Sequence, residues 1–384
     1  MLLRSLPWTR LAKADRELTI KHPIDILLFA GHAWVYIYSR KLKGSNVMSD
    51  ATLGERNARG EWRPEAPIAL APINHWPPHP SAILRWCFGN PGYIWPYNAL
   101  WLAIAVATWA WLTPELAIMK TLELWWMGLI LARNIAFTVL LFGGLHLYFY
   151  VLRGQGDAHR FNTEPLATNS RRFLFRNQVR DNMARTLVFG VPVFTSFEIA
   201  TYWGFANGYL GFPGLVSDPV LFWGWFVVAL LFAPVIHAVH FYLGHRLLHV
   251  RFLYKTVHAL HHRNVEIGPW SGLAMHPVEH VIYFSTVCVQ WLIALHPVNA
   301  LFQIQIAAFY PALGHSGFER LKIGDGQGLE GGSYFHYLHH KHFECNYGGS
   351  LVPLDKWFGT FHDGTPEAHA LMRERLRERR VANA

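Results

Sequence analysis

The chain has 384 residues, of which 52% are hydrophobic and 15% charged, with 17 tryptophans and a formal net charge of +9. This length would fit two or three soluble domains, but the apolar composition favours an integral membrane protein. The basic residues are scattered among loops that flank apolar runs, which argues against nucleic acid as a partner and favours anionic lipid headgroups. The three cysteines form no C-x-x-C pair, so neither a disulfide framework nor a thiolate metal site is expected.

Residues 1–93 are predicted to form an N-terminal interfacial segment and a cytoplasmic loop. No signal peptide is expected, because charges interrupt the first apolar run before a hydrophobic region forms. The apolar stretch Ile24–Tyr38 is short for a membrane span and is predicted to lie in the membrane interface. The following residues, 41–91, are polar and rich in proline, which is typical of a loop outside the membrane.

Residues 94–218 are predicted to be an N-terminal transmembrane region that contains three of four strong spans. A helix needs about 20 apolar residues to cross ~30 Å of hydrocarbon. The predicted spans are Ile94–Thr113, Asn134–Leu152, Leu187–Leu210 and Pro219–Gly244. Arg133, at the edge of the second span, is expected to extend its side chain toward the interface.

The loop at residues 153–185 sets the predicted orientation. It contains seven arginines and three acidic residues, so the positive-inside rule places it in the cytoplasm. The next two spans would form a hairpin and return the chain to the cytoplasm near Gly244, where the histidines begin. The protein is therefore expected to be a multi-pass membrane protein with its active site facing the cytoplasm.

A last apolar run, Val281–Leu313, is interrupted by the sequence LHPVN. Because 33 residues are few for two full crossings, we predict two short helices or a re-entrant hairpin with Pro297 near the turn. Residues 365–384 form a basic, helical tail. The predicted fold is all-α: a polytopic membrane helix bundle of four spans and a short hairpin, with a cytoplasmic, helical, histidine-rich cap.

Histidines are concentrated in one part of the chain, since 16 of the 23 lie between His237 and His362. Helical spacing brings the members of each cluster together. The clusters are His245 and His249, then His258, His261 and His262, then His336, His339 and His340. Burying eight imidazoles without partners would leave many polar nitrogens unsatisfied, which favours bound metal. Eight ligands exceed one coordination sphere, so two metal ions are expected.

The order of these motifs resembles the fatty acid hydroxylase superfamily, its sterol desaturase branch in particular. The resemblance covers about residues 235–364, within a predicted catalytic region at 219–364. It includes H-R-x-x-H, two copies of H-x-x-H-H, HPVE at His276–Glu279, GHSG at His315, and NYG after the last box. Members of that superfamily are membrane enzymes with a di-iron centre that activates O2 to hydroxylate or desaturate lipids.

The resemblance implies the cofactors and their ligands: two iron ions, with O2 as co-substrate. The implied metal ligands are His245, His249, His258, His261, His262, His315, His336, His339 and His340, with His276 as a tentative tenth that either binds metal or orients a ligand. No catalytic residue beyond the metal centre is assigned. Several nearby carboxylates are able to orient the imidazoles, and the sequence does not choose among them. NYG shapes an oxygen pocket or forms a turn.

A membrane lipid, either sterol-like or an acyl or sphingolipid chain, is the expected substrate. Because no HPGG haem-binding segment occurs, electrons are expected from a separate donor, either cytochrome b5-like or a ferredoxin with its reductase. That donor would dock on the basic loop at residues 153–185. Two other functions remain open, a histidine-rich membrane metal transporter or sensor and a zinc-dependent membrane hydrolase.

Overall fold

The chain is mostly helical in a computed structural model, which describes residues 54–56, 62–64, 66–211, 218–322, 328–330 and 333–382. The predicted interfacial segment Ile24–Tyr38 lies outside the described residues. Within them, the helices are α1 (Pro80–Phe88), α2 (Ala99–Leu112), α3 (Leu124–Val151), α4 (Gln178–Ala206), α5 (Pro219–Leu248), α6 (Arg251–Thr256), α7 (Pro277–Phe284), α8 (Val287–Ile293), α9 (Pro297–Gly314), α10 (Tyr334–His342), α11 (Leu354–Trp357) and α12 (Pro366–Ala382).

Short elements connect these helices. Two antiparallel strand pairs are formed by β1 (Gly54–Arg56) with β2 (Trp62–Pro64) and by β3 (Arg320–Leu321) with β4 (Leu329–Glu330). Short helical segments lie at Pro72–Asn74, Ile94–Asn98, Leu116–Lys120, Leu174–Arg176, His258–Arg263 and Pro269–Leu273. The prediction of a mainly helical fold is therefore confirmed.

Three helices among the described residues are long and apolar enough to cross a membrane. They are α3, α4 and α5, with 28, 29 and 30 residues. At 1.5 Å per residue each spans about 40 Å, more than the hydrocarbon thickness. The first predicted span, Ile94–Thr113, is not among them, because its continuous helix α2 has only 14 residues. Pro96 disfavours helical geometry at Trp95, whose φ and ψ are −107° and 139°.

Helix α3 begins ten residues before the predicted span, so Arg133 lies inside the helix and not at its edge. The prediction that Arg133 extends toward the interface is wrong. Its side chain is 8% exposed and forms an ion pair with Glu198 of α4, which is 1% exposed. Asn134 and Tyr202 also donate to the Glu198 carboxylate, at 2.8 and 2.7 Å. A charge supplied by the neighbouring helix thus lets α3 bury an arginine.

Removing one partner of this ion pair should destabilise the bundle. We expect Arg133→Ala to lower the free energy of unfolding by about 3–5 kcal/mol, because it leaves the Glu198 charge buried without its partner. Thermal unfolding of the detergent-solubilised protein measures the change. The double variant Arg133→Met, Glu198→Gln removes both charges and should recover most of the loss; if it is no more stable than Arg133→Ala, the ion pair is not the cause.

The last apolar run forms a helical hairpin, with α7 and α8 in one arm and α9 in the other. Tyr283 Oη donates to the Ala307 carbonyl at 2.9 Å, and Gln290 Nε2 donates to Gln303 Oε1 at 3.2 Å, so the arms run antiparallel. The turn lies at residues 294–296, and Pro297 begins α9. Proline is favoured at this position because its missing N–H has no helical partner there. The run therefore divides where the sequence predicted.

Helix α9 is the central element of the fold, since every residue of it except Tyr310 is buried. It packs against α2, α4 and α5 and against the helical turn Pro269–Leu273. The turn approaches closely at Gly272, where an added Cβ would lie 2.5 Å from the Pro311 carbonyl oxygen. This close packing fixes the C-terminal end of α9, which is followed by His315.

Candidate metal centre

Nine of the ten histidines predicted as metal ligands lie in two compact groups. In each group every imidazole offers one nitrogen, and these nitrogens lie within 4.8 Å of one another. Group A consists of His245, His249, His258, His262 and His339, and group B consists of His261, His315, His336 and His340. Histidines that belong to separate motifs in the sequence therefore converge from distant segments of the chain.

Helix ends and short helical turns position both groups. His245 lies in the last turn of α5 and His249 follows it, so the four-residue spacing places both imidazoles on one face. The turn His258–Arg263 contributes to both groups. His315 follows the C-terminus of α9, and α10 provides the last three imidazoles, beginning with His336.

The Nε2 atoms of group A approach one another closely. His258 Nε2 lies 2.9 Å from His245 Nε2 and 3.0 Å from His262 Nε2. His339 Nε2 lies 3.1 Å from His262 Nε2 and 3.2 Å from His249 Nε2. Two neighbouring ligands at about 2.1 Å from one metal ion would be about 3.0 Å apart at right angles and about 3.4 Å apart in a tetrahedron. The spacing in group A therefore fits a coordination sphere.

Group B has the same spacing. The Nε2 atom of His315 lies 3.1 Å from that of His336 and 3.2 Å from that of His340, and the last two are 3.2 Å apart. The ring of His261 lies beside them in an edge-to-face arrangement, with its centroid 4.7 Å from the centroid of His340. Group B thus provides a second set of converging imidazole nitrogens.

Hydrogen bonds at Nδ1 leave the Nε2 lone pairs directed into the groups. Nδ1–H of His245 donates to the Tyr347 carbonyl at 2.7 Å, and Nδ1–H of His339 donates to the Cys345 carbonyl at 2.7 Å. Nδ1–H of His315 donates to the Pro311 carbonyl at 3.1 Å. A carbonyl only accepts, so each neutral ring carries its proton on Nδ1 and a lone pair on Nε2.

The converging lone pairs of each group are suited to a bound cation. A proton bridges only one pair of nitrogens, whereas five Nε2 atoms in group A lie near one another. Because nitrogen lone pairs repel at about 3 Å, a metal ion is the kind of partner that would satisfy them all. Imidazole suits iron, zinc, copper and nickel, and the donor set of both groups therefore fits transition-metal binding.

Burial keeps these imidazoles in the neutral form, which is the form that binds metal. Burial lowers the pKa of His258 to about 3 and that of His315 to about 4. Burial and then the neighbouring imidazoles lower the pKa well below its ordinary value at His261, His262, His336, His339 and His340.

Glu279 is the carboxylate that orients a predicted ligand. Its Oε1 lies 2.7 Å from Nδ1 of His258, and the two side chains are 3% and 1% exposed. Burial raises the pKa of Glu279 well above its ordinary value. A metal cation at the far side of the imidazole would favour the charged carboxylate. The structure thus selects one of the carboxylates among which the sequence did not choose.

The NYG turn after the last histidine box, together with the residue before it, holds predicted ligands in place through backbone carbonyls. Carbonyls at Cys345 and Tyr347 accept from His339 and His245. Asp355 fixes the turn, because its carboxylate accepts from the Tyr347 amide at 2.9 Å and from the next amide at 2.7 Å. Backbone carbonyls have no sequence signal, so this role of the turn was not predicted.

His276, the tentative tenth ligand, lies in neither group. Its Nδ1 accepts from the Val278 amide at 3.2 Å, and this contact caps the N-terminus of α7. Glu279 lies in the first turn of the same helix. In this structure His276 therefore orders the helix that carries the carboxylate partner of His258.

A cavity of about 660 Å³ lies against both groups. Its wall contains His245 and His258 of group A, and His261, His315 and His336 of group B. Apolar and aromatic side chains form other parts of the wall, among them Trp101, Phe241, Tyr283 and Ile306. This volume is in the range of sites that enclose a small organic molecule.

Comparison with known proteins identifies relatives of this region. Residues 227–360 match the family model for fatty acid hydroxylase. A Delta(7)-sterol 5(6)-desaturase from Gibberella zeae is 23% identical over 250 residues, which cover 60% of this chain and 70% of that protein. A very-long-chain aldehyde decarbonylase from Oryza sativa subsp. indica is 32% identical over 158 residues, 40% of this chain and 59% of the relative.

A methylsterol monooxygenase from Arabidopsis thaliana is 29% identical over 149 residues, 38% of this chain and 56% of the relative. The chain thus spans little more than half the length of the last two relatives. No solved structure matches the chain.

Proposed function

The chain belongs to the fatty acid hydroxylase superfamily, in its sterol desaturase branch, through residues 227–360, and on this basis we propose that it is an integral membrane oxidoreductase that hydroxylates or desaturates a lipid. The observation that carries the proposal is the cavity, whose wall contains imidazoles of both groups and a larger apolar surface. A lipid bound there would place a C–H bond beside the metal centre.

Groups A and B would each hold one iron ion, and the bound pair supplies the redox chemistry that reduces O2 and breaks an unactivated C–H bond. The chain provides the remaining functions. Neutral imidazoles and the Glu279 carboxylate orient the centre. Apolar side chains such as Phe241 and Ile306 bind the hydrocarbon and exclude water from the cavity.

The other two functions are less well supported by the site. A transporter would place its ligands near the middle of the spans, whereas His245 lies in the last turn of α5 and His315 follows the end of α9. A zinc hydrolase commonly uses three protein ligands and one open position, whereas groups A and B offer five and four imidazoles. Measuring the metal content distinguishes these three functions, since the proposed oxygenase requires two iron ions per chain.

Lipid analysis of cells with and without the protein tests the proposal. We expect one lipid class to gain one oxygen atom per molecule or to lose two hydrogen atoms, and the reaction to require O2. Cells that produce the His339→Ala variant at an equal level serve as the control. An unchanged lipid profile with a fully iron-loaded protein would overturn the proposed activity.

A basic patch consisting of Arg171, Arg172, Arg176 and Arg180 supports docking of a separate acidic electron donor. All four arginines are exposed, and between them lie two exposed apolar side chains, Leu174 and Phe175. This combination of a charged rim and an apolar centre is typical of a protein interface. By the positive-inside rule, the patch and the metal centre would face the cytoplasm.

Hydrogen bonds connect the basic patch to the metal centre. Arg263 donates to the Arg172 carbonyl at 3.3 Å, and Gln178 Nε2 donates to Asn264 Oδ1 at 2.9 Å. The Asn264 amide in turn donates to the carbonyl of His261, a member of group B. The patch thus lies on a segment that contacts the ligand-bearing turn directly.

Neutralising the patch should slow electron delivery. We expect Arg171→Gln with Arg172→Gln to lower the rate at low salt by about 10-fold and to weaken its salt dependence, because steering by opposite charge is lost. Turnover with the native donor across a range of salt concentrations measures this. The matched control is Arg373→Gln with Arg377→Gln, two exposed arginines of α12. Equal losses in both variants would contradict docking at the patch.

A further inference from the structure

A third set of histidines, group C, lies outside the metal centre and consists of His342, His362 and His369. The three imidazoles offer nitrogens within 4.8 Å of one another. The ring of His342 lies 4.9 Å from that of His369 and 5.7 Å from that of His362, measured between centroids. Two residues along a helix rotate by about 200°, so His342 points away from the ligand His340 that precedes it.

His362 has an unsatisfied nitrogen. Its side chain is 2% exposed, and Nδ1 accepts from the Gly364 amide at 3.0 Å. Nε2 is buried and has no hydrogen-bond partner among the described residues. Buried polar atoms of this kind are rare in folded proteins and call for a partner. Because the ring contacts both other imidazoles of group C, a cation bound among them would provide that partner.

We propose that group C binds a divalent cation of the zinc class, separate from the iron centre. Three imidazoles with water in the fourth position form a well-known zinc coordination sphere. Group C connects three segments: the end of α10, the loop after α11 and the first turns of α12. The bound ion would hold α12 against the end of the helix that carries three predicted iron ligands.

Other contacts show that α12 is already seated at this position. Arg375 of α12 donates to the Glu344 and Gly359 carbonyls. The segment between α11 and α12 contains Gly359 and Gly364, with φ of 67° and 93°, so the backbone near His362 uses conformations that favour glycine. The Asn346 side chain holds this segment in place, because its Oδ1 accepts from the His362 amide at 2.7 Å and its amide group donates to the His362 carbonyl at 2.9 Å.

Binding at His362 Nε2 requires a change of tautomer. In the present arrangement Nδ1 accepts from Gly364, so the proton of the neutral ring lies on Nε2. Coordination through Nε2 moves that proton to Nδ1 and releases the Gly364 amide. The free energy of one neutral hydrogen bond is small compared with that of zinc coordination by three imidazoles. Losing the Gly364 hydrogen bond therefore does not prevent zinc binding.

Zinc titration of the full-length, iron-loaded protein tests this proposal. The protein is purified in detergent without a polyhistidine tag, and Zn²⁺ competes with a chromophoric chelator. We expect one zinc ion per chain in the wild type and none in His362→Ala or His369→Ala, with the iron content unchanged. His79→Ala, which removes an exposed imidazole, is the matched control and should bind one zinc ion.

Equal zinc stoichiometry in the wild type and both group C variants would overturn the proposal. His369 is half-buried on α12, so His369→Gln is a milder change than alanine. This variant should also bind no zinc, and it tests the proposal if an alanine variant does not fold. Zinc removal should also raise hydrogen exchange in α12, and unchanged exchange would contradict the role of the ion in holding that helix. The readout is zinc, so a negative result leaves the proposed lipid chemistry unaffected.

Discussion

Replacing His339 with alanine should abolish lipid turnover, with a loss of at least ~1,000-fold, because the change removes a ligand from a unit whose parts act together. His339 is fully buried, and its Nε2 lies near those of His249 and His262. Nδ1–H donates to the Cys345 carbonyl, which fixes the ring. Group A would therefore lose a rigidly held ligand, and iron content should fall from two ions per chain.

His276→Ala is the matched control for this prediction. His276 belongs to the same family motif that suggested it as a ligand, yet it lies outside groups A and B. We expect this variant to retain two irons per chain and most of its turnover, with slightly lower stability because α7 loses its cap. Loss of an iron from His276→Ala would show that the ligand set read from the structure is incomplete.

Replacing Glu279 should give the second largest effect. We expect Glu279→Ala to weaken metal binding by about 100-fold and Glu279→Gln by about 10-fold, the range found for partners of metal-bound histidines. Both variants remove the negative charge beside His258, but the glutamine amide oxygen is still able to accept from Nδ1–H. Alanine removes the acceptor as well, so the preferred tautomer is lost.

Iron retention against a competing chelator measures these differences. Asp181→Asn is a suitable control, because it neutralises a buried carboxylate that pairs with Arg185 and not with a ligand. If Glu279→Gln and Glu279→Ala retain iron equally, the hydrogen bond to His258 does not orient the ring. If all three variants lose iron equally, the effect is one of general stability.

Local spacing and the family resemblance predicted the nine histidines that converge in the structure, but they did not predict how these histidines divide between groups A and B. His261 and His262 are adjacent in sequence and belong to groups B and A, because neighbouring residues of the 3₁₀ turn that carries them diverge by about 120°. The partner of each depends on how α10 packs against the turn that carries them. This is tertiary information, and a sequence pattern of fixed spacing does not contain it.

The spans show a similar limit. The length of the apolar run predicted α5 well, since that helix contains no charged residue until its end. For α3, the predicted span began only after Arg133, whereas the helix begins ten residues earlier. The sequence shows a charge there, but it does not show that Glu198 of α4 neutralises it. In the opposite direction, an apolar run at 94–113 suggested a span that Pro96 interrupts. In both cases one residue, Arg133 or Pro96, was the source of the error, and the average hydropathy of the run did not reveal its effect.

The division of ligands between groups A and B also has a consequence for synthesis of the chain. Four of the five members of group A lie between His245 and His262, whereas group B has only His261 from that early segment. About 75 residues separate His262 from His336, which a ribosome needs about 4 to 15 s to add. Most of the histidines of group A are therefore synthesised before most of those of group B, and a metal ion bound by group A would find four of its five ligands already present on the chain.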